Sequence, residues 1–374
     1  MFRFAFGLVL SLTVSVSGSL YAGDKDKVLF GKIDSLVESD AKDTKLKASH
    51  AKTYTVKLDA GVAYRIDLSS KDFDTFLRLE NAVGKEVSFN DDIDVAANNL
   101  DSRIIYMPSK SGEFKLIVTT FAAGKTGNFV LEMVRASEAE AADARMDNQI
   151  ETFAKLSPDD RKQLILAVTK KLHDRGEKLT QSDGMRAFKL GMELEIEDVK
   201  MARESYKDFV KVFAGAEKKQ IAAFSKFFES NLKNLDKLGK EIEIAGMTTE
   251  GKEFDLKNLK GKIVLVDFWA TWCGPCIAEI PNMLSAHKKY HGKGFEIIGL
   301  SLDREEEKLT KFMEFRKLPW KSINIEDSRK WATKYEVRAI PHAVLVDRDG
   351  RAVSFRARGP MLERLLERLI EEKK

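Results

Sequence analysis

Between residues 50 and 135 apolar side chains recur at every second position. Tyr54, Val56 and Leu58 alternate with polar neighbours. So do Tyr64, Ile66 and Leu68, then Phe114, Leu116 and Val118, then Phe129, Leu131 and Met133. Period two is the signature of antiparallel strands with one buried face. Shorter runs at 75–79, 85–89 and 103–107 bring the total to six or seven, separated by Gly, Asp and Asn turns. This pattern predicts an antiparallel β-sandwich over 45–135.

From 137 to 238 the period changes to that of a helix. "SEAEAADARMDNQIETFAKL" holds strong helix formers and no turn signal. "SPDDRKQLILAVTKKLHDRG" opens with Ser157 as N-cap, Pro158 at the first helical position and acids in the first turn, and it closes on basic residues and Gly176. Further helices are predicted near 183–213 and 216–237. Phe224, Phe227, Phe228, Leu232 and Leu235 recur at helical spacing, which reads as helix packing rather than a ligand box. The stretch is expected to be an α-helical spacer and a candidate surface for self-association, with no chemistry of its own.

From 240 to 374 strands and helices alternate. "KIVLVDFWA", "FEIIGLSLD" and "HAVLVDRDG" are near-continuous apolar runs, as in strands buried on both faces. An Asp-Gly turn leads from the third to "RAVSFRARG". Helices fit at 274–291, 304–317, 328–336 and 360–373. The alternation predicts an α/β layer fold. The chain is thus read as multidomain, and its 374 residues allow two or three domains.

Charge narrows the function classes. Lys+Arg is 63 and Asp+Glu is 59, so no basic excess argues for a nucleic-acid partner. The start, "MFRFAFGLVLSLTVSVSGSLYAG", has one basic residue, Arg3, then an uncharged stretch from Phe4 to Val16 and then small residues. That is the layout of a secretory signal peptide over 1–22, with cleavage near Ser19 or after Ala22. An N-terminal membrane anchor is the alternative. Either way the protein is expected to be exported, periplasmic or extracytoplasmic. No cysteine follows this segment directly, so a lipid-modified cysteine anchor is excluded. Exported proteins meet an oxidising compartment where disulfides persist, yet the chain has only Cys273 and Cys276.

The pair admits three readings. Cys273, Cys276, His287 and His291 make C-x2-C-x10-H-x3-H, close to a zinc pattern. But Cys276 to His287 along one helix is roughly 16 Å, and zinc ligands must lie within about 2–2.3 Å of the ion. No metal is expected, and the two histidines are assigned to the helix surface. A structural staple closing so short a loop contributes only about 2 kcal/mol, against about 3 for a fifteen-residue loop. The redox reading explains the residue types. Cys273 opens a helix after a buried strand, where free N–H groups and the helix dipole favour its thiolate. Cys276 lies one turn deeper, placed to resolve a mixed disulfide. Asp267, in the apolar run "VLVDFWA", is desolvated and its pKa is expected to be raised. Glu279 shares a helix face with Cys276.

"DFWATWCGPC" resembles the thioredoxin active site. "CGPCIAEIP", followed by "GFEIIGLSLD", "LPW" and "AIPHAVLVDRDG", resembles the exported TlpA/ResA-like thiol–disulfide oxidoreductases over 240–374. The resemblance implies a thioredoxin fold with Cys273 as nucleophile, Cys276 as resolving thiol and Pro341 as a cis-proline that exposes backbone to substrate. Asp267 would take the proton of Cys276, and Glu279 would tune the pair. Trp272, expected to pack over the thiolate, Ile340 and His342 would contact substrate, while Trp269 belongs to the core. Ala339-Ile340-Pro341-His342 departs from the usual Gly-x-Pro-Thr, so an imidazole stands where the family has a threonine. The redox disulfide would be the sole electron carrier, with no bound cofactor. Exported proteins with disulfides would be substrates and a membrane thiol carrier the reductant.

"YTVKLDAGVAYRIDLSSKDFDTFLRLEN", "NDDID" and "SGEFKLIVTT" resemble the bacterial pre-peptidase C-terminal domain over 45–135, which implies a binding or stabilising accessory. Asp72, Asp74, Asp91, Asp92 and Asp94 lack EF-hand spacing and read as Asx turns rather than a calcium site. A thiol peroxidase would need P-x3-T-x2-C, and Val266 and Ala270 stand where its Pro and Thr belong. A copper carrier of this fold would need C-x3-C. The remaining rival is a secreted binding or scaffold protein with an accessory thiol domain.

Overall fold

The computed structural model describes residues 27–93 and 99–371; the predicted signal segment and Asp94 lie outside them. The described residues form two compact units, divided between Glu151 and Thr152.

The first unit is built from β1 (Phe30–Leu36), β2 (Ala51–Leu58), β3 (Tyr64–Ser69), β4 (Thr75–Asn81), β5 (Glu86–Asn90), β6 (Ser102–Tyr106), β7 (Gly112–Thr120) and β8 (Gly127–Arg135). Two antiparallel four-stranded sheets result, ordered β1-β8-β3-β6 and β2-β7-β4-β5. The alternating residues of both sheets meet in one cluster that includes Leu58, Ile66, Leu77, Leu116 and Leu131. Strand β1 precedes the 45–135 stretch. Its pattern did not disclose it, because Ile33 is 85% exposed and only the pairing with β8 orders it. Helix α1 (Glu138–Glu151) also belongs to this unit, where Ala141 and Ala144 pack on Ala63 and Met107. Asp72 accepts the backbone N–H of Asn128 at 2.7 Å, and Asp91 that of Asp92 at 3.1 Å.

The second unit opens with α2 (Pro158–Arg175), α3 (Gln181–Glu197), α4 (Val199–Ala214) and α5 (Lys219–Leu235). Ser157 caps α2 by accepting from the Asp160 N–H at 3.2 Å. The run expected near 183–213 is two helices. Asp198 breaks it by accepting the Met201 N–H at 2.9 Å, a cap that competes with helix continuation. Tyr206, Phe209, Phe213 and Phe228 are fully buried where α4 and α5 pack; of the expected stripe Phe228 and Leu235 are buried, and Phe224, Phe227 and Leu232 half-buried.

There follow the hairpin β9 (Ala245–Met247) and β10 (Glu253–Asp255), then β11 (Ile263–Trp269), α6 (Gly274–Tyr290), β12 (Phe295–Ser301), α7 (Glu306–Arg316), β13 (Lys321–Ile323), α8 (Ile325–Lys334), β14 (His342–Val346), β15 (Ala352–Ser354) and α9 (Gly359–Glu371). The sheet order is β13-β12-β11-β14-β15, with β11–β13 parallel and β14 and β15 antiparallel. Every residue of the central strand β11 is buried, which explains its unbroken apolar run. Its side chains divide by period two. Ile263, Leu265 and Trp269 join the cluster that contains both cysteines, whereas Val264, Val266 and Phe268 join the cluster of the opposite face.

Helix α3 packs on the α/β layer within this unit. Ile196 of α3 shares a cluster with Leu365 and Leu369 of α9. Arg364 reaches Glu193 at 2.8 Å, and Arg368 donates to the Ile196 carbonyl at 2.5 Å. An amphipathic stripe shows that a helix is covered, not what covers it. Among the described residues no helix is long and apolar enough to cross a membrane.

Candidate active site

Cys273 and Cys276 form a disulfide at the N-terminus of α6. Cys273 is the N-cap, and its Sγ accepts the Cys276 N–H at 3.3 Å. Gly274 and Pro275 open the helix, so the proline occupies a place where its missing N–H is harmless. The loop from β11 into α6 is pinned from β12. Asp303 accepts the Thr271 N–H at 3.0 Å and the Thr271 hydroxyl at 2.7 Å. Nothing in the sequence pointed to Asp303, because the contact exists only once β11 and β12 are neighbours. Cys273 is 5% exposed and Cys276 2%.

Asp267 follows the alternation of β11 onto the cysteine-bearing face, opposite Ala343 of β14. It is 5% exposed, and its Oδ1 has no hydrogen-bond partner. Burial raises its pKa to about 7; Arg358 pulls it down and Glu279 pushes it up. The carboxyl therefore changes charge near neutral pH. Glu279 is half-buried and has a structural task as well. Its Oε1 accepts the Gly359 N–H and the Asn282 amide, each at 2.7 Å, and so ties α6 to the start of α9. That tie fixes the residue just before Gly359, Arg358, whose Nη2 is buried without a partner. Arg358 was not legible in sequence: it lies far along the chain from Asp267 and only the fold brings their charges together.

The Ile340–Pro341 bond is cis. Ile340 is half-buried and packs against the clusters on both faces. His342 does not share the face of Asp267. It lies opposite Phe268, with its ring 5.8 Å from Phe268 and 6.3 Å from Phe355. Burial first, with Lys237 and Arg358 nearby, lowers its pKa to about 4. At neutral pH it is an uncharged imidazole, so it brings no cation to the thiolate. Trp272 is 66% exposed, so most of its indole faces solvent instead of packing over the sulfur; Trp269 is core at 3%.

Of the two histidines expected on the surface, His291, which follows α6, is exposed, and His287 departs from expectation. His287 is 8% exposed rather than on the surface, and it stacks on His291 with ring centroids 4.5 Å apart. Glu296 stands beside them and accepts Lys262 Nζ at 2.9 Å. Fourteen residues of helix, about 20 Å, separate this cluster from Cys273, so it is no part of a site with the cysteines. Val266 and Ala270, where a peroxidase needs Pro and Thr, are both fully buried.

A thioredoxin-like sheet with a disulfide opening a helix and a buried, titratable carboxyl behind it defines a class, the thiol–disulfide oxidoreductases. Residues 238–354 match the AhpC/TSA family. The chain is 39% identical over 117 residues to the thiol-disulfide oxidoreductase ResA of Bacillus cereus, which covers 31% of this chain and 67% of that protein. It is 30% identical over 118 residues to ResA of Bacillus subtilis, covering 32% and 65%. The crystal structure of the thioredoxin domain of a thiol-disulfide oxidoreductase from Bacteroides vulgatus aligns at 34% identity and a TM-score of 0.34, covering 36% of this chain and 97% of that one. Through its C-terminal α/β region the chain belongs to the ResA family, and the protein is a thiol–disulfide oxidoreductase.

Proposed function

We propose that the protein reduces disulfides of exported proteins by dithiol exchange through Cys273 and Cys276. The observation that carries this reading is the Cys273–Cys276 disulfide at the start of α6, on the same sheet face as Asp267, whose buried Oδ1 has no partner. In the dithiol form the Cys273 thiolate, favoured by the helix N-terminus, attacks a substrate disulfide. A Cys273–substrate bond forms and one substrate thiolate leaves. Asp267 in its ionised form takes the proton from Cys276, as a general base with pKa near the working pH should. The Cys276 thiolate then attacks the Cys273 sulfur. The second substrate thiolate leaves and the Cys273–Cys276 disulfide remains, so two electrons have passed to the substrate. Pro341, Ile340 and Trp272 would face the substrate chain, and Glu279 holds the α6–α9 junction around the pair.

The N-terminal run 1–22 supports export, and a membrane thiol carrier would re-reduce the pair. No bound cofactor takes part in this scheme. The first unit serves as a β-sandwich accessory resembling the pre-peptidase C-terminal domain. A Cys276→Ser variant tests the proposal by arresting the mixed disulfide on Cys273. Exported proteins held by a reducible bond are the expected catch. An empty trap, together with a wild type that reduces no disulfide, would sink the mechanism.

A further inference from the structure

We infer that the cleft between α5 and the cis-proline loop is a docking site for an acidic segment of the substrate protein, next to the disulfide being exchanged. This rests on the thiol–disulfide reading and names the chemistry of the substrate it takes. The cleft measures about 770 Å³. Its floor includes Pro341 and His342, and one wall is α5, an element outside the α/β layer itself. Pro341 and α5 thus border one cleft, along which a substrate chain would lie.

The lining is rich in donors and cations. Lys226 and Lys233 of α5, Lys237 just past its end and Arg338 of the loop all face it, and none forms a salt bridge among the described residues. Only Glu229 and Glu336 oppose them in the lining. Three buried donors there lack a hydrogen-bond acceptor: Asn231 Nδ2, on a side chain 5% exposed, Arg356 Nη1 and Arg358 Nη2. Buried donors without acceptors are costly; these atoms are shielded from solvent, so an approaching chain meets the lysines and Arg338 of the lining first. His342 is neutral and adds shape but no charge. Phe227 of α5 is held in the wall under Arg356, whose guanidinium lies 5.2 Å from its ring. Arg356 in turn faces Glu195 at 3.6 Å, so the unpaired cations are the ones that select. Charge complementarity of this kind acts on encounter and partner choice.

The test uses the full-length dithiol protein and three synthetic peptides. They carry one identical internal disulfide, flanked by Glu, Gln or Lys. At about 20 mM salt the Glu-flanked peptide is expected to be reduced about tenfold faster than the Lys-flanked one, and less than about threefold faster at about 500 mM, where exposed charges are screened. Lys233→Glu combined with Lys237→Glu is expected to abolish or invert the order. Lys219→Glu, the same charge change on α5 outside the cleft, is expected to keep it. Thermal melting of each variant separates recognition from misfolding. Equal rates for the three peptides, or a preference unmoved by the double substitution in a folded protein, overturn the docking site and leave the oxidoreductase reading intact. Failure to reduce any of the three takes down both.

Discussion

Asp267 is held as the neutral acid over a range where an exposed aspartate is ionised. Its folded pKa, about 7, lies above the unfolded value near 3.8, so between these pH values the folded state binds the extra proton. Stability contributed by this group is full below pH 3.8 and falls as pH rises through 7, by up to about 4 kcal/mol. Asp267→Asn should therefore gain stability relative to wild type between pH 5 and pH 8, read by denaturant unfolding of the oxidised protein. A gap that does not change with pH would contradict the raised pKa. The same substitution should slow resolution of the mixed disulfide by about 100-fold or more, the scale of a lost general base. Arg358→Met removes the cation that draws the carboxyl down. The midpoint of the pH–rate profile should then move to higher pH, while a purely structural Arg358 would leave the midpoint in place.

At the scale of elements, two glycines decide how closely the helical layer closes. A Cβ at Gly191 of α3 would stand 2.3 Å from Tyr206 Cε1, and one at Gly184 would stand 2.4 Å from Phe224. Tyr206 has little room to retreat, since it is fully buried and its hydroxyl donates to Glu195 at 2.5 Å. Alanine is the better helix former by about 1 kcal/mol, yet Gly191→Ala should destabilise the protein by about 1–3 kcal/mol through overpacking. Thermal unfolding checks the sign, and a raised Tm would refute the close approach of α3 and α4. Helix α6 shows the opposite economy. Its start is written in the sequence, because a cysteine N-cap followed by Gly-Pro needs no distant partner.

At the scale of the molecule, the helical layer and the α/β layer form one unit, so a piece beginning at 240 leaves α9 half uncovered. Ile196 and Met192 would no longer pack on the cysteine-bearing cluster, and Arg364 and Arg368 would lose their partners on α3. Residues 240–374 alone should melt at least about 5 °C below residues 152–374, consistent with a loss of a few kcal/mol in a domain of this size. Equal melting temperatures would mean that the helices are a true spacer.

Local pattern was enough for much of this protein. Alternation at Tyr64, Ile66 and Leu68 or at Phe114, Leu116 and Val118 marks strands, because period two is a property of the strand itself. The pair Cys273 and Cys276 marks a redox helix start, because the capping and dipole chemistry lies within a few residues. The burial of Asp267 was legible for the same reason, in an apolar run whose neighbours leave it no water. Strand β1 was not, since its order comes from β8 and not from its own pattern. Nor was the face on which His342 lies, which the register of β14 against β11 sets. Asp303 and Arg358 reach the site from distant stretches, and the basic cleft needs α5 to lie beside the proline loop. The sequence by itself determined the chemistry of the cysteine pair and the elements around it. Tertiary structure alone decided which charges surround that pair and what wall a substrate meets, because those depend on contacts between residues that the chain keeps far apart.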